Sequence, residues 1–240
     1  MERSEGFHVL AVAAHPDDVE QTCGGTLLKM AERGYRTAIL DLTAGEMGSR
    51  GTPGQRLEEA AEAARILGVV SRSNAGLPDA RLENTIQARL RVARVIRDCR
   101  PGVVILPYWE ARHPDHARCS EIGYEACFLA GLRKLDLDGD PHRPRKILYS
   151  SIYADVRPSF VVDVSAQFER RMRALLSYRS QYADQTEAAG LFPGEAEVAE
   201  RLRTAARTYG ALIDSEYGEP FVVKEVLRVD DIVGLGVRSL

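Results

Sequence analysis

Three strongly apolar runs alternate with amphipathic segments along the first half of the chain. The runs are Phe7–Ala14, Thr37–Leu42 and Val103–Leu106, and each is typical of a strand that is buried on both faces of a parallel sheet. Between them, apolar residues recur every three to four positions, as on the inner face of a helix. The alternation predicts an α/β fold with a doubly wound, mostly parallel, Rossmann-like sheet.

Local signals predict several helix boundaries. A capping box at Thr52–Gln55 begins one helix, while Gly34 and Pro101-Gly102 each end another. The predicted inner faces of the second and third helices are Leu57, Ala60, Ala64 and Leu67, and Ile86, Leu90, Ala93 and Ile96.

The carboxyl-terminal part continues with strands and helices. Two strands are predicted around Arg157-Pro158, a helix from Phe168, a long helix over Glu195–Ile213 and a short strand at Phe221–Val223. Neither an internal repeat nor a linker rich in Pro, Gly or Ser interrupts the pattern. We therefore expect a single domain over residues 1–240, with a carboxyl-terminal helix and strand extension.

Charge and cysteine content narrow the class of protein. Of the 240 residues, 32 are Lys or Arg and 35 are Asp or Glu, which gives a formal charge of −3. This balance lacks the basic excess of a nucleic-acid binder, and the apolar runs are too short for a transmembrane helix. Four cysteines without paired spacing are typical of reduced thiols. These features, with no secretory cleavage site, predict a cytoplasmic protein.

Two short motifs stand directly after strongly predicted strands. They are His15-Pro16-Asp17-Asp18 and His113-Pro114-Asp115-His116. Loops at the carboxyl ends of neighbouring parallel strands converge. His15, Asp18 and His116 could therefore hold one ion.

That donor set favours a catalytic cation. Two imidazoles and one carboxylate leave a coordination position open for water, as in catalytic zinc sites. Asp17 could then accept the proton of the water, and His113 could stabilise the developing oxyanion and protonate the leaving group. Asp115 could accept the second N–H of a neighbouring imidazole.

Other interpretations of these residues remain open. Each motif alone could be an ordinary helix-capping turn. The same ligand set serves mononuclear Fe(II) oxygenases; the strand–helix alternation weighs against that class, but Fe(II) or another divalent metal could replace Zn(II). Nucleotide-binding glycine motifs are absent from the sequence. Arg56 could pair with Glu59 or hold a substrate carboxylate or hydroxyl, and Arg112 adjoins the same predicted pocket.

At these motifs the sequence resembles the PIG-L/LmbE family of zinc-dependent N-acetylglucosamine deacetylases. In particular, the sequence resembles the bacillithiol-pathway branch, which deacetylates N-acetylglucosaminyl malate. The segments that carry this resemblance are Asp41–Glu46, Gly48–Thr52, Tyr209–Ile213 and Tyr217–Glu219. The resemblance implies metal ligands at His15, Asp18 and His116, a base at Asp17, an oxyanion or acid role for His113, tuning by Asp115, and substrate contacts for Arg56 and Arg112.

The same resemblance implies a small-molecule glycoside substrate and, because such family members are often homo-oligomers, a homo-oligomer. Two features depart from the family pattern: Val19 stands where an acidic residue often follows the paired aspartates, and the family's mobile tyrosine has no assigned match among Tyr178, Tyr182 and Tyr209. Two alternatives to the malate substrate stay open. One is deacetylation of an inositol conjugate or a chitooligosaccharide, and the other is a non-catalytic sugar-binding protein.

Overall fold

A mixed sheet flanked by helices forms the centre of the protein, of which the computed structural model describes residues 6–151, 156–183 and 194–237. Its strands are β1 (Val9–Ala13), β2 (Thr37–Asp41), β3 (Ser71–Asn74), β4 (Val103–Pro107), β5 (Lys146–Ser150), β6 (Phe160–Asp163) and β7 (Gly218–Val222). The helices are α1 (Asp18–Thr22), α2 (Gly24–Glu32), α3 (Pro53–Leu67), α4 (Ile86–Cys99), α5 (Pro114–Ala130), α6 (Phe168–Leu176), α7 (Arg179–Tyr182) and α8 (Glu195–Ala211).

The strand order confirms the predicted fold class. Within the described residues the sheet has seven strands in the order β3-β2-β1-β4-β5-β7-β6. The first five of these run parallel, and β7 pairs antiparallel with both β5 and β6. The parallel part is doubly wound, and the carboxyl-terminal strands and helices extend it at one edge.

The central strand β1 explains why the first apolar run is unbroken. All five residues of β1 are buried. Val9, Ala11 and Ala13 contribute to the core cluster on one face of the sheet, while Leu10 and Val12 contribute to the cluster on the opposite face. Because helices cover both faces, neither can carry polar side chains.

Two inner-face predictions were wrong at their first residue. The capping box of Thr52 and Gln55 is present, but Leu57 is 63% exposed. The buried stripe of α3 begins instead at Arg56, whose charge hides it from a hydrophobic pattern. Ile86 is likewise exposed, because it is the first residue of α4 and precedes the buried stripe.

Two elements differ from the sequence-based expectation. The edge strand β3 is polar and only partly buried, so it lacks an apolar run. Helix α5 begins at Pro114, which puts Asp115 and His116 in a helical first turn rather than in a loop. No described helix combines the length and apolar character needed to span a bilayer.

Candidate metal and active site

The two predicted motifs meet at the carboxyl ends of adjacent strands. β1 pairs in parallel with β4, so the chain segments that follow these strands leave the sheet side by side. Asp18 is the first residue of α1, and His116 lies in the first turn of α5. Asp17 joins β1 to α1 with a φ of 104°, a backbone conformation that costs free energy for a residue with a side chain and is concentrated at functional sites.

His15, Asp18 and His116 converge as the sequence predicted. The Asp18 carboxylate lies between the two rings, with Oδ2 3.5 Å from His15 Nδ1 and Oδ1 3.1 Å from His116 Nε2. The backbone N–H of His15 donates to Asp18 Oδ2 (2.9 Å) and fixes the carboxylate. All three side chains are largely buried. Two imidazoles on either side of one carboxylate are the donor types that bind a divalent cation such as Zn(II) or Fe(II). The described residues also bring a ring nitrogen of His113 close to those of His15 and His116, and the carboxylates of Asp79 and Asp115 close to His15.

The electrostatics of the three donors also fit a cation. Burial alone would raise the pKa of Asp18, but the adjacent His116 and His15 hold it well below its ordinary value. Burial would lower the pKa of His15, yet the carboxylates of Asp18 and Asp79 outweigh burial and raise it to about 11. The carboxylates thus create a local negative potential that stabilises positive charge at this point.

A second pair of carboxylates contacts the opposite side of the His15 ring. His15 Nε2 lies 3.0 Å from Asp79 Oδ1 and 3.5 Å from Asp115 Oδ2. Asp79 also accepts the backbone N–H of Met47, and Asp115 accepts that of Ala80. With Nε2 turned toward acids, Nδ1 of His15 is the nitrogen that faces Asp18 and the cation position.

The motif predicted that Asp115 accepts from a neighbouring imidazole without saying which, and the family resemblance implied that it tunes His113. In the structure the Asp115 carboxylate lies against the His15 ring. His113 contacts Asp115 only through the backbone: its Nδ1 accepts the Asp115 N–H (3.2 Å). Asp79 was missed entirely, because it follows a polar edge strand and belongs to no motif.

Asp17 is buried beside two groups that orient its carboxylate. The Tyr182 hydroxyl donates to Oδ2 (2.6 Å), and Arg56 Nη2 lies 3.6 Å from Oδ1. Burial raises the pKa of Asp17 to about 6, although Arg56 and Tyr182 act in the opposite direction. A carboxylate with this pKa can accept a proton near neutral pH. Of the three tyrosines without an assigned role, Tyr182 is the one that touches the site.

His113 stands at the open side of the cluster. It is exposed, and its ring lies 4.9 Å from that of His15 and 5.0 Å from that of His116, centroid to centroid. One ring nitrogen of each histidine lies within 4.8 Å of those of the other two. Partial desolvation of the ring and the two neighbouring rings lower the pKa of His113, and a lowered pKa favours the neutral imidazole.

The two arginines have different surroundings. Arg56 is buried and donates through Nη2 to the Pro16 carbonyl (2.7 Å) and through Nη1 to the Gly45 carbonyl (3.2 Å), so it pairs with the active-site loops and not with Glu59. A Cβ on Gly45 would lie 2.0 Å from Arg56 Nη1, so this glycine makes room for the guanidinium. Arg112 is exposed and makes no hydrogen bond or ion pair with the described residues.

Comparison with known proteins identifies the family. The PIG-L model, described as GlcNAc-PI de-N-acetylase, matches residues 10–127. The diacetylchitobiose deacetylase of Thermococcus kodakarensis is 33% identical to this chain, and the match covers 88% of this chain and 80% of that protein. The chain belongs to the PIG-L family. This PIG-L protein is thus an enzyme that acts on N-acetyl amides.

Two further relatives resemble this PIG-L protein over most of its length. A probable N-acetyl-alpha-D-glucosaminyl L-malate deacetylase 2 of Bacillus anthracis is 32% identical, covering 73% of this chain and 82% of that one. The crystal structure of the conserved protein TT1542 from Thermus thermophilus superposes with a TM-score of 0.85 at 42% identity, covering 93% of this chain and 98% of that one.

Proposed function

We propose that this enzyme removes the acetyl group from an N-acetylglucosaminide, using a cation held by His15, Asp18 and His116. The observation that carries the proposal is the meeting of these donors beside a buried carboxylate, Asp17, that does not itself complete the set. A site that only bound sugar would have no need of a strained, desolvated base next to the cation position.

When bound, a divalent metal, which we propose to be Zn(II) with Fe(II) as the alternative, would activate a water molecule and polarise the acetamide carbonyl. Asp17 accepts a proton from the attacking water. Tyr182 holds the carboxylate by its Oδ2 oxygen. Arg56 Nη2 lies 3.6 Å from Oδ1, beyond hydrogen-bond distance, so Oδ1 is the atom that we expect to receive the proton. Asp17 then returns this proton to the nitrogen of the departing amine, so that the base is regenerated.

His113 stabilises the oxyanion of the tetrahedral intermediate. Its Nδ1 accepts the Asp115 backbone N–H, so the neutral ring carries its proton on Nε2. That N–H is the donor that the ring can offer to the oxyanion. A neutral donor agrees with the lowered pKa of His113 better than the imidazolium acid expected from the motif.

Two aglycones are candidates. The resemblance to the bacillithiol branch favours N-acetylglucosaminyl malate, and a malate deacetylase is among the relatives. A relative that matches over more of the chain, 33% identical over 88% of it, is a diacetylchitobiose deacetylase, and the site chemistry serves both substrates alike. Arg56 is engaged by backbone carbonyls and Asp17. Of these two arginines, Arg112 is therefore the one that we expect to pair with a malate carboxylate.

Acetate release from a substrate panel tests the proposal. N-acetylglucosaminyl malate, diacetylchitobiose and an N-acetylglucosaminyl inositol are compared at equal concentration, each with the parent enzyme and with Arg112→Ala. If malate is the aglycone, Arg112→Ala raises KM for that substrate about tenfold, the effect of one lost charge-assisted contact, and leaves KM for diacetylchitobiose unchanged. Equal effects on both would reject the malate assignment. No acetate from any member of the panel would reject the deacetylase.

A further inference from the structure

The helix α7 is a single turn, and it places the buried Tyr182 hydroxyl against the carboxylate of Asp17. One turn of helix is not stable by itself, because its few hydrogen bonds do not offset the cost of ordering the backbone. The residue before the turn, Tyr178, makes no capping hydrogen bond through its side chain. Contacts from other parts of the chain must therefore hold α7 in place.

Glu59, on the helix α3, caps this turn from another element. Its Oε1 accepts the backbone N–H of Ser180 (2.7 Å), and its Oε2 accepts the Ser180 hydroxyl (2.6 Å). Ser180 is buried in the first turn of α7, where a backbone N–H has no partner within the helix. Hydrogen bonds to a carboxylate are about twice as strong as those between neutral groups. Both oxygens of Glu59 thus hold one residue, two positions before Tyr182.

A second set of contacts joins α7 to the loop between β2 and α3. Arg50 Nη1 donates to the Gln181 carbonyl (2.8 Å), and Gln181 Nε2 donates to the Arg50 carbonyl (2.8 Å). A Cβ on Gly51 would lie 2.6 Å from the Cβ of Ser180, so a glycine at this position lets the loop approach α7 closely. Ser180 and Gln181, the two residues that precede Tyr182, are therefore both held by distant segments.

The helix α3 acts on both oxygens of the Asp17 carboxylate. Arg56 faces this carboxylate directly, with Nη2 3.6 Å from Oδ1. Glu59, three positions along the same helix, reaches Oδ2 indirectly, through the turn that carries the Tyr182 hydroxyl. Residues three apart are neighbours on a helix surface, so one side of α3 determines the surroundings of the carboxylate.

We propose that Glu59 is a positioning residue for the base: by fixing Ser180, it keeps the Tyr182 hydroxyl on the Asp17 carboxylate. The inference rests on the proposed function, in which Asp17 exchanges a proton with water and with the departing amine. Glu59 acts through two other residues. Its loss should therefore slow the proton transfer and leave the binding of metal and substrate unchanged.

A double-mutant cycle on acetate release tests this role. Glu59→Ala should lower kcat about tenfold, the effect of a lost hydrogen bond to a charged group, with KM and metal content at the parental level. In the Tyr182→Phe background, where no hydroxyl remains to be placed, the same substitution should lower kcat less than about twofold further.

Two further variants separate positioning from general damage. Glu59→Gln keeps an acceptor for the Ser180 N–H and a donor for its hydroxyl oxygen, so it should retain most of the parental kcat. Glu58→Ala is the matched control, because it removes the same charge from an exposed position of α3, and its kcat should equal that of the parent.

Hydrogen exchange, followed by mass spectrometry, tests the inference without turnover. The backbone N–H groups of Gln181 and Tyr182 donate to the Tyr178 carbonyl within the turn. They should exchange at least about tenfold faster in Glu59→Ala than in the parent, because the turn opens more often, and at the parental rate in Glu58→Ala.

These measurements distinguish the inference from the proposed function. Parental exchange in Glu59→Ala would overturn the inference whether or not the protein releases acetate. Equal losses of kcat in the two backgrounds would also overturn it, since such an effect does not pass through Tyr182. A parent that releases no acetate from any glucosaminide would reject the proposed function instead, and the exchange rates would still decide whether Glu59 holds α7.

Discussion

At the scale of single residues, the site depends on which side of the His15 ring faces the cation. Asp79 and Asp115 contact Nε2, and this leaves Nδ1 beside Asp18. The motifs were enough to predict that His15, Asp18 and His116 lie close together, because residues that directly follow a parallel strand emerge at its carboxyl end. The sequence could not predict Asp79, since a lone aspartate after a polar strand has no distinguishing pattern.

Asp79→Asn should weaken retention of the metal by about 10- to 100-fold, the usual effect of losing a carboxylate that orients a metal-bound histidine. The apparent metal affinity, measured by competition with a chelator, checks this. Asp136→Asn, at an exposed position without a partner among the described residues, is the matched control. Equal affinities in the two variants would show that Asp79 does not orient His15.

Tyr182→Phe removes the hydroxyl that holds the Asp17 carboxylate and leaves the ring in place. A hydrogen bond to a charged group contributes about 1.5–3 kcal/mol, so kcat should fall about 10- to 100-fold as the base loses its orientation. Metal content should stay at the parental level, because the hydroxyl donates to Asp17, which lies outside the proposed ligand set. A variant with unchanged kcat would remove Tyr182 from the site.

At the scale of elements, the buried carboxylate of Glu219 links the antiparallel edge of the sheet to a helix of the parallel part. Glu219 of β7 accepts the backbone N–H groups of Gly25 and Thr26, at 2.8 and 2.7 Å, at the start of α2. Its Oε1 lies 3.2 Å from Nη1 of Arg171, and both side chains are fully buried. The carboxylate therefore ties an antiparallel strand to the helix beside the active site.

Glu219→Ala should lower the free energy of unfolding by about 3–5 kcal/mol, because Arg171 would be left buried without its counter-charge. For a chain of this size the melting temperature should fall by roughly 6–20 °C. Glu197→Ala breaks an exposed pair with Arg201 and should change the free energy of unfolding by less than about 1 kcal/mol. Calorimetry on both variants measures these changes, and similar losses in the free energy of unfolding would contradict this account.

Hydrophobic pattern and local caps predicted most of the elements, and the exceptions share one cause. The apolar runs at β1, β2 and β4 and the capping box of α3 were sufficient, since burial and capping are local properties. The pattern failed at β3, whose edge position lets polar residues face water, and at Arg56, which is buried because of its partners. Polar contacts between distant segments leave no periodic signal.

At the scale of the whole molecule, the site lies where the strand order reverses. The chain proceeds from β1 outward to β3 and then returns to β4 on the other side of β1. The loops after β1 and β4 are far apart along the chain but adjacent in space. The point where the strand order reverses is where α/β sheets commonly bind ligands. The fold class alone therefore predicts that two distant motifs can meet.

Metal content and turnover measured together test the central claim most directly. After extensive dialysis, the parent and Asp17→Asn should both retain close to one divalent ion per chain, and His116→Ala should retain far less. Acetate release should fall by at least about 100-fold in Asp17→Asn, the usual contribution of a general base. Full metal retention by His116→Ala, or parental turnover by Asp17→Asn, would contradict a deacetylase built on these residues.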